Sequence, residues 1–191
     1  LGVTAPAGAH AVALNPAALG YLEGWSLAYQ HVEGARAGAF SQSGDTLRIG
    51  EIDGLVGQAE ILQIDEEAAV LAIALDQPPP SKLPLALVVA LPRPKMLRRI
   101  LRNVAELGVA ELHLINSYRV EKSYWQSPAL EERTVRDCLL QGLEQSRDTR
   151  LPVVRHHHRF KPCVEDSLPL MLANKLALLA QPGEHPPCLR D

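Results

Sequence analysis

The side chains best suited to chemistry form a run of cations in PRPKMLRRILR, residues 92–102, which holds five basic residues and no acidic one. At about 100° per residue in a helix, four of them share an arc of about 100°: Lys95, Arg98, Arg99 and Arg102. The opposite arc is apolar, so one face packs and the other is cationic. Two interpretations stay open. The helix is either a solvated surface helix or a contact for a phosphate backbone, which needs several cations on one rigid face.

A second stretch, NSYRVEKSYW at 116–125, interleaves cations with aromatic rings. Arg119 and Lys122 supply charge, while Tyr118, Tyr124 and Trp125 offer stacking faces. This combination suits unstacked RNA bases. The alternative is a loop whose aromatic rings anchor it to the core.

A third stretch, GLEQSRD at 142–148, places Glu144, Gln145 and Arg147 at the end of a predicted helix. Polar clusters at helix ends are usually caps and surface pairs, so the residues alone favour a structural role here.

The triplet HHH at 156–158 is predicted to be structural rather than a metal site. Neighbouring residues of a strand point to opposite faces, so three histidines in a row cannot converge on one ion. No Cys and His pair nearby completes a zinc pattern. The sequence also has no GxSxG elbow, P-loop or GxGxxG motif, so nothing supports a hydrolase or a nucleotidase.

The elements that must position these residues fall into two parts. Short alternating runs and glycines in residues 44–77 predict a small β-barrel or meander. The segment PPPSKLP at 78–84 predicts a stiff linker. Strands then alternate with helices, which predicts an α/β domain with a mostly parallel, covered sheet. The predicted strands are 83–91, 109–116, 151–158 and 175–181, and the predicted helices are 96–108, 129–147 and 163–173.

Composition describes an ordinary soluble chain of 191 residues with a formal net charge of −3. Residues 43–82 carry two basic and eight acidic side chains, whereas residues 83–150 carry eleven basic and eight acidic ones. An acidic part is therefore followed by a mildly basic one, and such local fields steer ligands. Three widely spaced cysteines favour reduced thiols in the cytoplasm. No apolar run approaches the roughly 20 residues of a membrane span, so we expect no membrane contact.

Five long strings carry a resemblance to a known family. They are GDTLRIGEIDGLVGQAEI, LALVVALPRPKMLRRILRNVAELGV, LHLINSYRVEKSYWQSPALEE, LLQGLEQSRDTRLP and RFKPCVEDSLP. Over about residues 44–191 the chain resembles the ribosomal RNA small subunit methyltransferase E family. The resemblance implies a partial PUA-like β-barrel at 43–80 and, at 83–191, a parallel-sheet SPOUT-like domain of the trefoil-knot class. Residues 1–42 resemble nothing in that family.

The resemblance further implies methylation of N3 of a uridine in 16S rRNA, with S-adenosylmethionine as methyl donor, by a cytoplasmic homodimer active in ribosome biogenesis. By this resemblance Arg93 and Lys95 would border the catalytic cleft. The RNA contacts expected of Arg98, Arg102 and Lys122 rest on the two cationic stretches themselves. Glu144 and Gln145 would lie near the substrate. Arg119 or Arg147 is the candidate to stabilise the negative charge that develops on the base.

The family's GPEGG-containing loop and its later LGxRILRxETA segment, which together form the knot and bind the donor, have no match in this sequence. We therefore expect residues 1–191 to bind the donor poorly, and the residues that bind it stay unknown. Two other interpretations follow: a non-catalytic RNA-binding fragment that lacks the donor site, and a structural or dimerisation module. An ion-pair network covering Lys95, Arg98 and Arg102 would favour the last of these.

Overall fold

The computed structural model describes residues 10–14, 25–26, 46–64 and 69–180, which form two sheets. The first sheet is antiparallel, with the strand order β1-β5-β4-β3-β2. Its strands are β1 (His10–Leu14), β2 (Trp25–Ser26), β3 (Thr46–Glu51), β4 (Val56–Ile64) and β5 (Ala69–Gln77).

The predicted alternation within residues 44–77 is present in this first sheet. Ile49, Ala59 and Ile61 are buried, and residues between them, such as Gln58 and Glu60, are exposed. The PUA-like assignment of 43–80 stays a prediction. Two strands, β1 and β2, come from before residue 43 and pair with β5 and β3. The predicted domain boundary at residue 42 also stays a prediction.

The second sheet is parallel, with the order β6-β7-β8, and it confirms the predicted alternation of strands and helices. Its elements are β6 (Leu83–Ala90), α1 (Pro94–Glu106), β7 (Val109–Ile115), α2 (Glu132–Ser146) and β8 (Val153–His157). Short 3₁₀ turns at Lys122–Gln126 and Pro128–Leu130 connect β7 to α2. The predicted helix at 163–173 is present as a π-type segment, Cys163–Ser167, followed by Leu168–Leu172. The knot assignment stays a prediction.

Both long helices pack on the same face of this sheet. Leu112 and Leu114 of β7 point into a core that also holds Leu97 and Leu101 of α1 and Leu143 of α2, all fully buried. The helix α1 begins with a proline at its first turn, and Gly108 follows its end with φ 69°, a value that favours glycine.

Two predictions about the second sheet are wrong. The strand β6 was expected to be buried on both faces, but Leu85 is 47% exposed and Val88 is 38% exposed. The physical reason is that β6 lies at the edge of the sheet, and the helices cover only one face of it in the described part of the chain. Residues 175–180 were expected to form a strand, but the structure shows no regular element there.

Asp148, in the loop that links α2 to β8, holds the second sheet to the linker. Its carboxylate is buried and accepts hydrogen bonds from the backbone N–H groups of Thr149 (2.7 Å) and Arg150 (3.1 Å). Lys82 places its Nζ 2.9 Å from the other carboxylate oxygen. A buried charge with three such partners is stable where an unpaired one would not be.

The turn between β3 and β4 docks on the same loop. The Asp53 backbone N–H donates to the Thr149 carbonyl at 2.8 Å, and the Thr149 hydroxyl donates to the Gly54 carbonyl at 2.7 Å. The Asp53 carboxylate also accepts from the backbone N–H of Leu151 at 2.9 Å. The two sheets are therefore joined by hydrogen bonds across this loop.

The helices α1 and α2 pack tightly against each other at Gly142. A Cβ at this position would overlap the carbonyl oxygen of Arg102, which belongs to the backbone and cannot turn aside. We expect Gly142→Ala to lower the free energy of unfolding by about 1–2 kcal/mol, because overpacking outweighs the gain in helix propensity. Urea denaturation measures it. Gln141→Ala, on the exposed side of α2, is the control and should change stability by less than about 0.5 kcal/mol. A more stable Gly142→Ala protein would contradict the close approach.

Candidate nucleic-acid interface

The cationic face of α1 lies on its solvent side. Lys95, Arg98, Arg99 and Arg102 are all exposed, while Leu97 and Leu101 face the core. This arrangement matches the prediction made from the helical spacing.

No ion pair covers this face within the part of the chain that the structure describes. The pairs found there join Lys82 to Asp148, His113 and Arg155 to Glu111, and Lys161 to Glu165. The network that would have favoured a purely structural helix is therefore not found among these residues. Four cations on one rigid face, without carboxylate partners there, are suited to a row of phosphates.

The carboxyl ends of the three parallel strands form one edge of the second sheet, which we call the carboxyl edge. Ala90, Ile115 and His157 end β6, β7 and β8 at this edge. Exposed Arg93 follows β6 and forms the N-cap of α1, and exposed Arg119 follows β7. Ligands of parallel α/β sheets collect at such an edge. The structure thus brings Arg93, Lys95, Arg119 and Lys122 to the same side of the domain.

An aromatic cluster of Trp125, His156 and His158 lies at this edge. The ring centroids of Trp125 and His158 are 4.3 Å apart, and those of Trp125 and His156 are 6.4 Å apart in an edge-on arrangement. Asn116 fixes the cluster: its side-chain oxygen accepts from the Trp125 ring N–H at 3.2 Å, and its amide donates to the His158 carbonyl at 3.2 Å. Trp125 also packs against the core, as the anchoring interpretation of this loop expects. Stacking of RNA bases on its rings stays a prediction.

The part that His156 and His158 take in this cluster was not predicted from the sequence. Strand alternation argues against a metal site made of three adjacent histidines, but the same alternation places residues two apart on one face. Among the described residues no group of three or more His, Cys, Asp or Glu side chains could hold a metal ion.

A groove beside the cluster was also missed. It has a volume of about 340 Å³ and lies between the first half of α2 and β8. Its polar lining residues are Glu132, Arg136 and His156, and its walls are apolar. Burial lowers the pKa of His156, and the neighbouring His158 and His157 lower it further, so this ring is neutral at pH 7. No sequence pattern joins residues 132–136 to residue 156, because only the packing of α2 on β8 brings them together.

Glu144, Gln145 and Arg147 lie away from the carboxyl edge. The helix α2 begins near that edge and runs to the opposite one, about 22 Å away for 15 residues. Arg147 is its C-cap, with a left-handed φ of 57°. Burial raises the pKa of the Glu144 carboxyl. Within one chain the structure therefore does not bring Arg147 to Arg119.

A further hydrogen-bonded group lies on the face of the second sheet opposite the helices. The buried His113 ring has its Nδ1 3.0 Å from Nε2 of His157 and its Nε2 3.3 Å from a carboxylate oxygen of Glu111. The pKa of His113 is lowered, chiefly by burial, although the hydrogen bond to Glu111 opposes the shift.

Comparison with known proteins identifies the family to which the second sheet and its helices are similar. A family model for an RNA methyltransferase domain matches residues 79–189. The chain is 35% identical over 113 residues to the ribosomal RNA small subunit methyltransferase E of Treponema pallidum (strain Nichols), a match that covers 59% of this chain and 42% of that protein. The chain thus spans less than half the length of that curated relative.

Solved structures share the fold. A probable rRNA-methyltransferase from Porphyromonas gingivalis superposes with a TM-score of 0.52 at 19% identity, covering 66% of this chain and 52% of that one. A putative methyltransferase from Legionella pneumophila, in complex with the bound cofactor SAM, gives a TM-score of 0.51 at 19% identity, covering 83% and 61%. At such identities the likeness confirms the α/β fold with a parallel sheet. No described helix is long and apolar enough to cross a membrane.

The lowered pKa of His113 predicts a loss of stability in acid. The unfolded chain takes up a proton at this ring near the ordinary pKa of 6.5, and the folded chain resists it until the pH is lower. The contribution of His113 to the free energy of unfolding is therefore complete above pH 6.5 and is lost as the pH falls below that value. Urea denaturation at pH 7.5 and 5.5 should show a smaller acid loss for His113→Gln than for the wild type. Equal losses would contradict the burial of a neutral His113.

Proposed function

Because the chain belongs to the RNA methyltransferase domain family, we propose that it is the RNA-holding part of an S-adenosylmethionine-dependent rRNA methyltransferase. The observation that carries this proposal is the cationic face of α1, which lies inside the matched residues and adjoins the carboxyl edge. The finer assignment is methylation of N3 of a uridine in 16S rRNA. We further propose that the protein acts as a cytoplasmic homodimer with a PUA-like barrel and a knotted SPOUT-class domain. These finer proposals rest on the resemblance of the five sequence strings.

The groove next to α2 does not fit the methyl donor itself. The donor is a sulfonium cation, whereas the charges of Arg136 and Glu132 in this groove cancel and His156 is neutral, so the groove offers no net negative charge. We therefore derive no step through the donor. When bound, S-adenosylmethionine supplies the methyl group, and the residues described here bind RNA and orient the base.

Arg119 is the described cation best placed to act on the base. N3 of uracil must lose its proton before it can attack a methyl group, and the negative charge then spreads over the ring. An exposed guanidinium at the carboxyl edge, where phosphates also bind, would stabilise that anion. Arg147 lies at the opposite edge and could reach the same base only from another chain.

A non-catalytic RNA-binding role is the second candidate, and the poor fit of the groove to the donor favours it. Incubation with S-adenosylmethionine that carries a tritiated methyl group, and with 16S rRNA, separates the two. Tritium recovered at N3 of a uridine supports the methyltransferase, and binding of RNA without any transfer supports the second candidate.

The RNA contact predicts a salt-dependent affinity that depends on α1. Arg98→Ala/Arg102→Ala should weaken binding of an rRNA fragment about tenfold at 0.1 M salt. It should also reduce the slope of log K against log salt by about 1.4–1.8, because each lost phosphate contact removes about 0.7–0.9. Fluorescence anisotropy measures both. Lys161→Ala/Lys175→Ala removes the same charge from exposed positions elsewhere and is the control. Equal losses in both double variants would refute a specific contact at α1.

The role of Arg119 is testable without the donor. A single-stranded RNA that carries one 5-fluorouridine reports ionisation of N3 by ¹⁹F NMR. Bound to the wild type, the base should ionise at a lower pH than when bound to Arg119→Ala, and Arg119→Lys should restore part of the difference. Arg147→Ala should match the wild type. If all of these proteins gave one N3 pKa at saturating protein, Arg119 would not act on the base.

A further inference from the structure

The groove between α2 and β8 is large enough to hold a small ligand. Its volume of about 340 Å³ lies within the range of sites for small molecules. Apolar side chains form most of its walls: Leu130, Val135, Leu139, Leu151, Pro152 and Val154. Such walls are suited to the flat, weakly hydrated faces of a ring.

One end of the groove is continuous with the aromatic cluster. His156 lines the groove and also lies in edge-on contact with Trp125 and His158. Because Asn116 holds Trp125 and the backbone of His158 in place, the rings are ordered before a ligand arrives. A fixed ring system binds a nucleobase at a small cost in conformational entropy.

The polar side chains of the groove match the two polar parts of a nucleotide. Glu132 and Arg136 lie one helical turn apart on α2, and no ion pair within 4.0 Å joins them to each other in the described structure. A guanidinium binds a phosphate through its fork of N–H donors. A carboxylate accepts hydrogen bonds from the exocyclic amino group of a base.

We propose that this groove binds one unstacked nucleotide of single-stranded RNA, with its base against the aromatic cluster, its phosphate at Arg136 and an amino group at Glu132. The inference rests on the proposed RNA contact, because the strand that lies on α1 supplies this nucleotide.

The groove is also expected to prefer some bases over others. Adenine, cytosine and guanine carry amino groups and uracil carries none, so the groove selects a neighbour of the target base rather than a uridine.

The fluorescence of Trp125 reports occupancy of the groove. The chain has two tryptophans, so the variant Trp25→Phe leaves Trp125 as its only one. In this background we expect hexamers of cytidine or adenosine to change Trp125 emission and to bind about fivefold or more tightly than hexauridine. Glu132→Gln should reduce this preference to less than twofold, because an amide donates as well as accepts. Glu131→Gln, a neighbouring carboxylate outside the groove, should leave it intact.

The variant Arg136→Ala distinguishes binding of a nucleotide in the groove from binding of the RNA strand on α1. It should weaken hexacytidine binding several-fold while the α1 contact persists, so that Arg98→Ala/Arg102→Ala still lowers the salt slope in its presence. Cytidine monophosphate tests the source of the nucleotide, and we expect it to bind at least tenfold more weakly than the hexamer. Equal affinity would overturn the assignment to a strand in favour of a free nucleotide.

Failure of the proposed function and failure of the groove proposal give different results. If no RNA binds the wild-type chain at any salt concentration, the proposed function fails and the inference falls with it. If RNA binds through α1 but the Glu132 and Arg136 variants leave base preference and Trp125 emission unchanged, only the inference is overturned. Displacement of hexacytidine from the groove by S-adenosylmethionine would also overturn it, because the groove would then hold the donor.

Discussion

The parallel pairing of β6, β7 and β8 is the constraint on which the site depends. Parallel strands need crossover connections, and the helices α1 and α2 supply them. Each strand therefore ends at the same edge, so residues 91–93, 116–119 and 158 come together although they are far apart in sequence. The cations and rings of the candidate interface are products of this topology.

Close packing of the two helices determines which side chains face outward. Gly142 allows α2 to approach the backbone of α1, and the shared core then takes Leu97 and Leu101. With that stripe buried, the cations of α1 can only face solvent. The exposed cations of α1 and their proposed contact with phosphates are thus consequences of the packing of α2 on α1.

The sequence predicted what local periodicity encodes: the parallel sheet, the limits of both long helices to within a few residues and the cationic face of α1. It could not predict features that depend on distant partners. Leu85 is exposed because β6 lies at an edge, and His156 meets Trp125 only after β8 pairs with β7. Likewise Arg147 is separated from Arg119 by the length of α2, and Lys82, the charged partner of Asp148, comes from a distant segment.

The most direct measurement of the central claim is photo-crosslinking of the wild-type chain to single-stranded RNA that contains 4-thiouridine, followed by mass spectrometry of the peptides. We predict crosslinks to α1 and to residues 116–126, at and beside the carboxyl edge. Crosslinks confined to the first sheet, or to residues 144–148 at the opposite edge, would contradict the account.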